Sequence, residues 1–136
     1  MWAYVFMTAH VHLIVRPRAA DYDIAENRTA IKAPVGRKVI AYLESEAPDW
    51  IPKITRNRGK KTERLFWQSG GGYDRNVVKP ETLMKMIDYI HLNPVRRGLV
   101  ERPEDWKWSS AAWYAGARDG GVVPDSIPPE WVVGLP

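Results

Sequence analysis

The sequence predicts an α+β fold with an antiparallel sheet flanked by helices, on three observations. β-favouring segments open the chain, two later stretches carry apolar residues at helical spacing, and a further β-favouring segment lies between them. The 136 residues suffice for one domain, assigned here to 1–115, with an extended tail over 116–136.

The elements follow in order. Ala3 to Thr8 and His10 to Val15 read as two strands of a hairpin turning near Thr8-Ala9, because Tyr4, Phe6, Val11, Leu13 and Val15 favour extended backbone. Arg16-Pro17 ends the hairpin, and Arg18 to Thr29 reads as polar connection. A helix is predicted from Pro34 to Glu46, where Val35, Val39, Ile40 and Leu43 recur at helical spacing and proline suits the first turn. Pro48 stops it. Asp49 to Gly59, broken by Pro52 and Gly59, reads as loop or a short helical turn. Arg64 to Gln68 reads as a third strand, and Gly70-Gly71-Gly72 as a hinge.

The clearest helix runs from Pro80 to Asn93. Glu81 suits its positive N-terminal end, Leu83, Ile87 and Ile90 form an apolar stripe, and Pro94 pushes Asn93 out of the α region. Trp106, Trp108, Trp113 and Tyr114 read as anchors packing the tail onto the domain, and Gly120 to Pro136 as an extended surface stretch.

Composition bounds the chemistry. No apolar run approaches the roughly 20 residues of a membrane helix, so a cytoplasmic protein is expected. The absence of cysteine excludes disulfides and thiolate metal sites, leaving His, Asn, Gln or carboxylates as ligands. The net charge of +4 is modest, but Lys53, Arg56, Arg58, Lys60, Lys61 and Arg64 cluster against Glu63 alone. Such a cluster suits a polyanion such as nucleic acid, and a solvated loop without a ligand is the competing account.

Two short signals carry the chemistry. A strand alternates faces, so His10 and His12 point the same way and can converge on one cation. A helix brings residues i and i+4 together, so Tyr89 and Asn93 share a stripe. Tyr89 lies about 120° from Leu83 on the helical wheel, off the centre of the core stripe. Two imidazoles and an amide oxygen on one ion, with a phenol beside it, equip a site for attack on a phosphodiester. Taken singly, the histidines read as structural and the tyrosine as packing. Tyr73, beside the glycines and Arg75, is a secondary candidate nucleophile, and His91 is expected to face away from Tyr89.

Met7, His10-Val11-His12, Phe66-Trp67, Asp88-Tyr89-Ile90, Asn93-Pro94-Val95-Arg96 and Trp108-Ser109-Ser110 together resemble a known family. From Ala3 to Tyr114 the chain resembles the single-tyrosine HUH transposases and, within them, the REP-associated tyrosine transposases. The resemblance implies a ferredoxin-like HUH domain with a central antiparallel sheet, lacking its usual first strand and helix. It further implies cleavage and rejoining of single-stranded DNA next to hairpins through a 5′-phosphotyrosine. By that resemblance Tyr89 is the nucleophile, His10 and His12 are metal ligands for Mg²⁺ or Mn²⁺, and Asn93 can complete the metal site. The basic cluster, with Arg75, Arg96 and Arg97, is expected to contact single-stranded or hairpin DNA, by a monomer or a homodimer. One departure is Thr8-Ala9 where the family usually has Pro-Asn. Two other readings compete: a hairpin-binding module without cleavage, and a small metal-dependent phosphoesterase acting through activated water.

Overall fold

The computed structural model describes residues 1–117 and 121–132. Along the chain the elements are β1 (Ala3–Phe6), β2 (Val11–Ile14), α1 (Ile24–Glu46), α2 (Ile51–Ile54), β3 (Thr55–Arg58), β4 (Lys61–Arg64), α3 (Pro80–His91), α4 (Asn93–Arg96) and α5 (Ala111–Tyr114). Single 3₁₀ turns lie at Pro48–Trp50, Pro103–Asp105 and Pro129–Trp131. This is an α+β chain with two separate two-stranded antiparallel sheets, β1-β2 and β3-β4. Its residues divide into two compact units, Met1–Arg18 with Arg75–Pro136, and Ala19–Asp74.

The first unit is built around the N-terminal hairpin. It turns at Thr8-Ala9, as the sequence predicts, closed by the Met7 N–H donating to the His10 carbonyl at 2.8 Å. The register pairs Ala3 with Ile14 and Val5 with His12, and paired residues in a ladder share a face. Ala3, Val5 and Ile14 on that face join Leu83, Ile87 and Ile90 of α3 in one apolar cluster with Trp2. Leu83 and Ile87, spaced by four, are 0% and 1% exposed, so burying each stabilises the unit by about 1.5–3 kcal/mol.

The tryptophan-rich segment anchors through Trp106 and Tyr114, which pack against the core, whereas Trp108 is exposed. The backbone of the segment adds to the free edge of β1, where Val5 bridges Ser109 and the Phe6 N–H donates to the Trp108 carbonyl at 2.8 Å. The Trp106 indole donates to the Phe6 carbonyl at 2.9 Å, and the Tyr114 hydroxyl to the Trp2 carbonyl at 2.9 Å. Burial pushes that phenol up to about 12. The Ser110 hydroxyl, 1% exposed as a residue, accepts from the Tyr4 N–H at 3.0 Å and lies 2.8 Å from His91 Nε2. His91 therefore faces the core, edge-on to Tyr114 at 5.2 Å. Gly120 lies outside the described residues, as does the stretch 133–136. From Gly121 to Pro128 the chain forms no regular element, and Ile127 and Trp131 pack against the core.

The second unit departs from the sequence reading in three places. The helix predicted from Pro34 begins ten residues earlier, at Ile24, and carries Pro34 inside it. Asp23 sets this start: its carboxylate accepts from the Ala25 N–H at 2.6 Å, and the Asn27 side chain donates to the Asp23 carbonyl at 2.9 Å. Asp23 followed by Glu26 is the legible signature of that cap, whereas Pro34 removes just one backbone donor from an otherwise continuous helix.

The second departure is that part of the predicted loop 49–59 is strand β3. The third is that the predicted strand 64–68 is displaced: β4 ends at Arg64, and Leu65 to Gln68 lie outside any strand. β4 pairs with β3, not with the N-terminal hairpin. Gly59 at φ 57° followed by a residue without positive φ fits the two-residue hairpin turn that glycine at the first position allows.

Two stability measurements follow. Replacing Ser110 with alanine strips the Tyr4 amide of its side-chain acceptor and His91 of its partner, and is expected to lower unfolding free energy by about 1–3 kcal/mol in denaturant titration. His91 is pushed down to about 4, chiefly by burial and partly offset by Asp88, so the folded state holds it neutral. Between pH 6.5 and about 4 the unfolded chain binds the additional proton. The contribution of His91 is therefore complete above pH 6.5 and declines on acidification, by up to about 3 kcal/mol, a slope that His91→Phe should flatten.

Candidate active site

The register that buries Val5 also places the histidines. His12 stands opposite Val5, on the face that packs against α3, and His10 lies two residues back on the same side, at the mouth of the turn. Their ring centroids are 4.9 Å apart and nearly perpendicular. Burial, and then the neighbouring His10, pull the pKa of His12 down, which keeps it in the neutral form that binds metals.

α3 delivers the phenol to the same place. Tyr89 lies two residues beyond Ile87, off the core stripe and 51% exposed. Its ring centroid is 6.3 Å from that of His12, edge to face. The two imidazoles and the phenol, distant in sequence, thus form one cluster.

The end of α3 fixes that phenol from behind. The carbonyl of Tyr89 falls in the last turn, where helical acceptors lose their backbone donors. Two side chains from α4 supply replacements: Asn93 Nδ2 donates to it at 3.0 Å and Arg96 at 3.3 Å. The Arg96 guanidinium also lies over the Tyr89 ring, 4.6 Å from its centroid. Asn93 is 8% exposed, so its amide is a buried polar group spent on the backbone of the very residue it neighbours. Sequence reasoning put Asn93 beside Tyr89 but missed this capping role, which the Asn-Pro pair after a helix could have signalled.

Among the described residues there is no group of three or more His, Cys, Asp or Glu able to hold a metal. Two imidazoles fit a divalent cation as a partial ligand set, and oxygens from an amide, phenol, water or phosphate would complete it.

The basic residues fall into distinct settings. In the β3-β4 hairpin, Arg56 pairs with Glu63 and Arg58 with Lys61, so these four share one face, while Arg64 pairs with Thr55 on the other. Arg64 is ion-paired with Glu44, and Lys53 lies over the Trp50 ring at 4.2 Å. Lys60 sits in the turn, and Arg75 and Arg97 are exposed in the first unit. Tyr73 belongs to the second unit and is 87% exposed.

The location of the phenol at the surface has a measurable consequence. Tyr89→Phe should shift unfolding free energy by no more than about 0.5 kcal/mol, while Asn93→Ala, which uncaps the helix, should cost about 1 kcal/mol in the same titration.

No family model and no solved structure matches the chain. A curated protein of Haemophilus influenzae, provisionally named a REP-associated tyrosine transposase, is 30% identical to it over 105 residues. That alignment takes in 74% of this chain and 52% of the relative, so the chain spans about half the length of the protein it matches. Across the aligned region the chain is similar to this REP-associated tyrosine transposase, which supports the family that its motifs suggest.

Proposed function

We propose that the chain cleaves and rejoins single-stranded DNA beside hairpins, with Tyr89 as the nucleophile. The observation that carries this reading is the 6.3 Å between the rings of Tyr89 and His12, with His10 adjacent. In the reaction the Tyr89 hydroxyl gives its proton to water as its oxygen attacks the scissile phosphorus, the bond from phosphorus to the 3′ oxygen breaks, and that oxygen takes a proton from water and leaves as a hydroxyl. The 5′-phosphotyrosine so formed retains a phosphodiester, and attack by a 3′-hydroxyl reverses the step and frees the phenol. No nucleotide hydrolysis is needed for rejoining.

His10 and His12 would hold Mg²⁺ or Mn²⁺, with the Asn93 amide oxygen as a candidate further ligand. The bound cation would supply Lewis-acid polarisation of the phosphate and charge balance for the departing oxygen. Arg96, stacked over the Tyr89 ring and bonded to its carbonyl, holds the phenol in place. Asn93 does the same from the backbone side.

The β3-β4 hairpin supports a DNA partner. Arg58 and Lys61 are directly opposed, a like-charge pair that destabilises a ladder unless an anion lies across it. A phosphate backbone supplies that anion. No helix among the described residues is long and apolar enough to cross a membrane.

The test incubates the protein with Mn²⁺ and a labelled single-stranded hairpin and resolves covalent protein–DNA adduct on a denaturing gel. An adduct is expected, with Tyr89→Phe reducing it to background and His12→Ala lowering it at least 100-fold. Tight binding with no adduct would identify a binding module instead. Cleavage that survives Tyr89→Phe would identify a hydrolase using activated water.

A further inference from the structure

A second feature lies within the unit Ala19–Asp74, on α1. Arg28, Lys32 and Gly36 follow one another at four-residue steps and so line one face of that helix. Gly36 is its one buried residue among those described, and the indole of Trp67 covers it: a side chain there would begin 3.5 Å from Trp67 Cδ1. The indole is pinned by its Nε1–H, which donates to the Lys32 carbonyl at 2.8 Å. Phe66 stands edge-on to Trp67, with centroids 5.0 Å apart, and keeps 40% of its surface exposed. An open groove of about 460 Å³ runs between this face and the segment from Leu65 to Gly71. Small-ligand clefts span about 300–1,000 Å³.

The charge in this groove has one sign. Its lining includes Arg28, Lys32, Arg37 and Arg64 and no carboxylate. Arg28 is paired with Asp74 at 3.5 Å and Arg64 with Glu44, but among the described residues neither Lys32 nor Arg37 has an ion-pair partner. A fixed aromatic edge beside two cations without a carboxylate partner, one of them Lys32 5.6 Å from the Trp67 ring centroid, calls for a ligand with a flat π face and an attached anion. An unpaired nucleotide has both. A base inside a duplex, already stacked on two neighbours, does not offer its face.

We propose that this groove seats one unpaired nucleotide of single-stranded DNA, with the base stacked on Phe66 and its phosphate held by Lys32 and Arg37. The proposal rests on the reading of the chain as a single-strand DNA protein and names a contact that reading does not require.

The test measures anisotropy of a short labelled oligonucleotide with the full chain across a salt series, beside the same sequence carrying abasic sites and a duplex of equal length. Folding of each variant is checked by circular dichroism. Phe66→Ala should weaken single-strand binding about 10-fold, the worth of one stacked base. It should also bind the normal and abasic strands alike, whereas the unsubstituted protein prefers the normal strand. Lys32→Ala and Arg37→Ala should each lower the slope of log affinity against log salt by about 0.7. Unchanged affinity in all three variants, or equal binding of normal and abasic strands by the unsubstituted protein, overturns the proposal. The cleavage reading fails separately: groove-dependent binding without a Tyr89 adduct contradicts that reading and leaves the groove standing, while an adduct with an idle groove does the reverse.

Discussion

The candidate site depends on one pairing, Val5 opposite His12 in the N-terminal hairpin. Side chains alternate along a strand, so a slip of β2 by one residue would carry His10 and His12 to the far face and take Ile14 out of the core with them. The apolar cluster of Ala3, Val5, Ile14, Leu83, Ile87 and Ile90 opposes that slip. Burial of the core and placement of the imidazoles are thus the same structural event. The hydrophobic effect fixes the strand, and the strand fixes the chemistry at the rim of the core.

The same helix that closes the core presents the phenol. Ile87 and Ile90 are buried while Tyr89 between them is half exposed, because successive residues on a helix are rotated by about 100°. What lies beyond the helix then matters. α3 ends at His91, the short turn of α4 begins at Asn93, and the Tyr89 carbonyl in that last turn accepts from the Asn93 and Arg96 side chains. On the opposite side, His91 and Ser110 tie α3 to the backbone of β1 through Tyr4. Tyr89 is therefore held by a capped helix end that is itself locked to the strand beside the histidines.

Much of this was legible in the sequence, where local rules and tertiary demands agree. The hairpin at Thr8-Ala9, the stripe of α3 and the outward set of Tyr89 follow from period-two and period-3.6 spacing alone. The setting of His91 away from Tyr89 follows from the same wheel, although its packing into the core does not. The second unit was less legible, for identifiable reasons. Pro34 was given the role of a helix start, although Asp23 and Glu26 spell a stronger one, and the resulting gap hid Arg28 and Lys32 as members of α1. Leu65, Phe66 and Trp67 have strong strand preference, yet they lie outside any strand, and the Trp67 indole fills the space that Gly36 leaves on α1. The basic hairpin escaped notice since charged residues are poor strand formers, and only Gly59 marked its turn. Likewise, Asn93 read as a possible ligand from its spacing, but its hydrogen bond to the Tyr89 carbonyl could not be seen without the helix end in three dimensions.

The central claim is that the two histidines share one divalent cation beside Tyr89. Electron spin echo spectroscopy of Mn²⁺ titrated into the protein tests it directly, since imidazole nitrogens bound to the ion modulate the echo. The account predicts a one-site Mn²⁺ spectrum with nitrogen modulation that weakens in His10→Ala and in His12→Ala alike. A spectrum carrying only solvent protons, or nitrogen modulation indifferent to both substitutions, would contradict it.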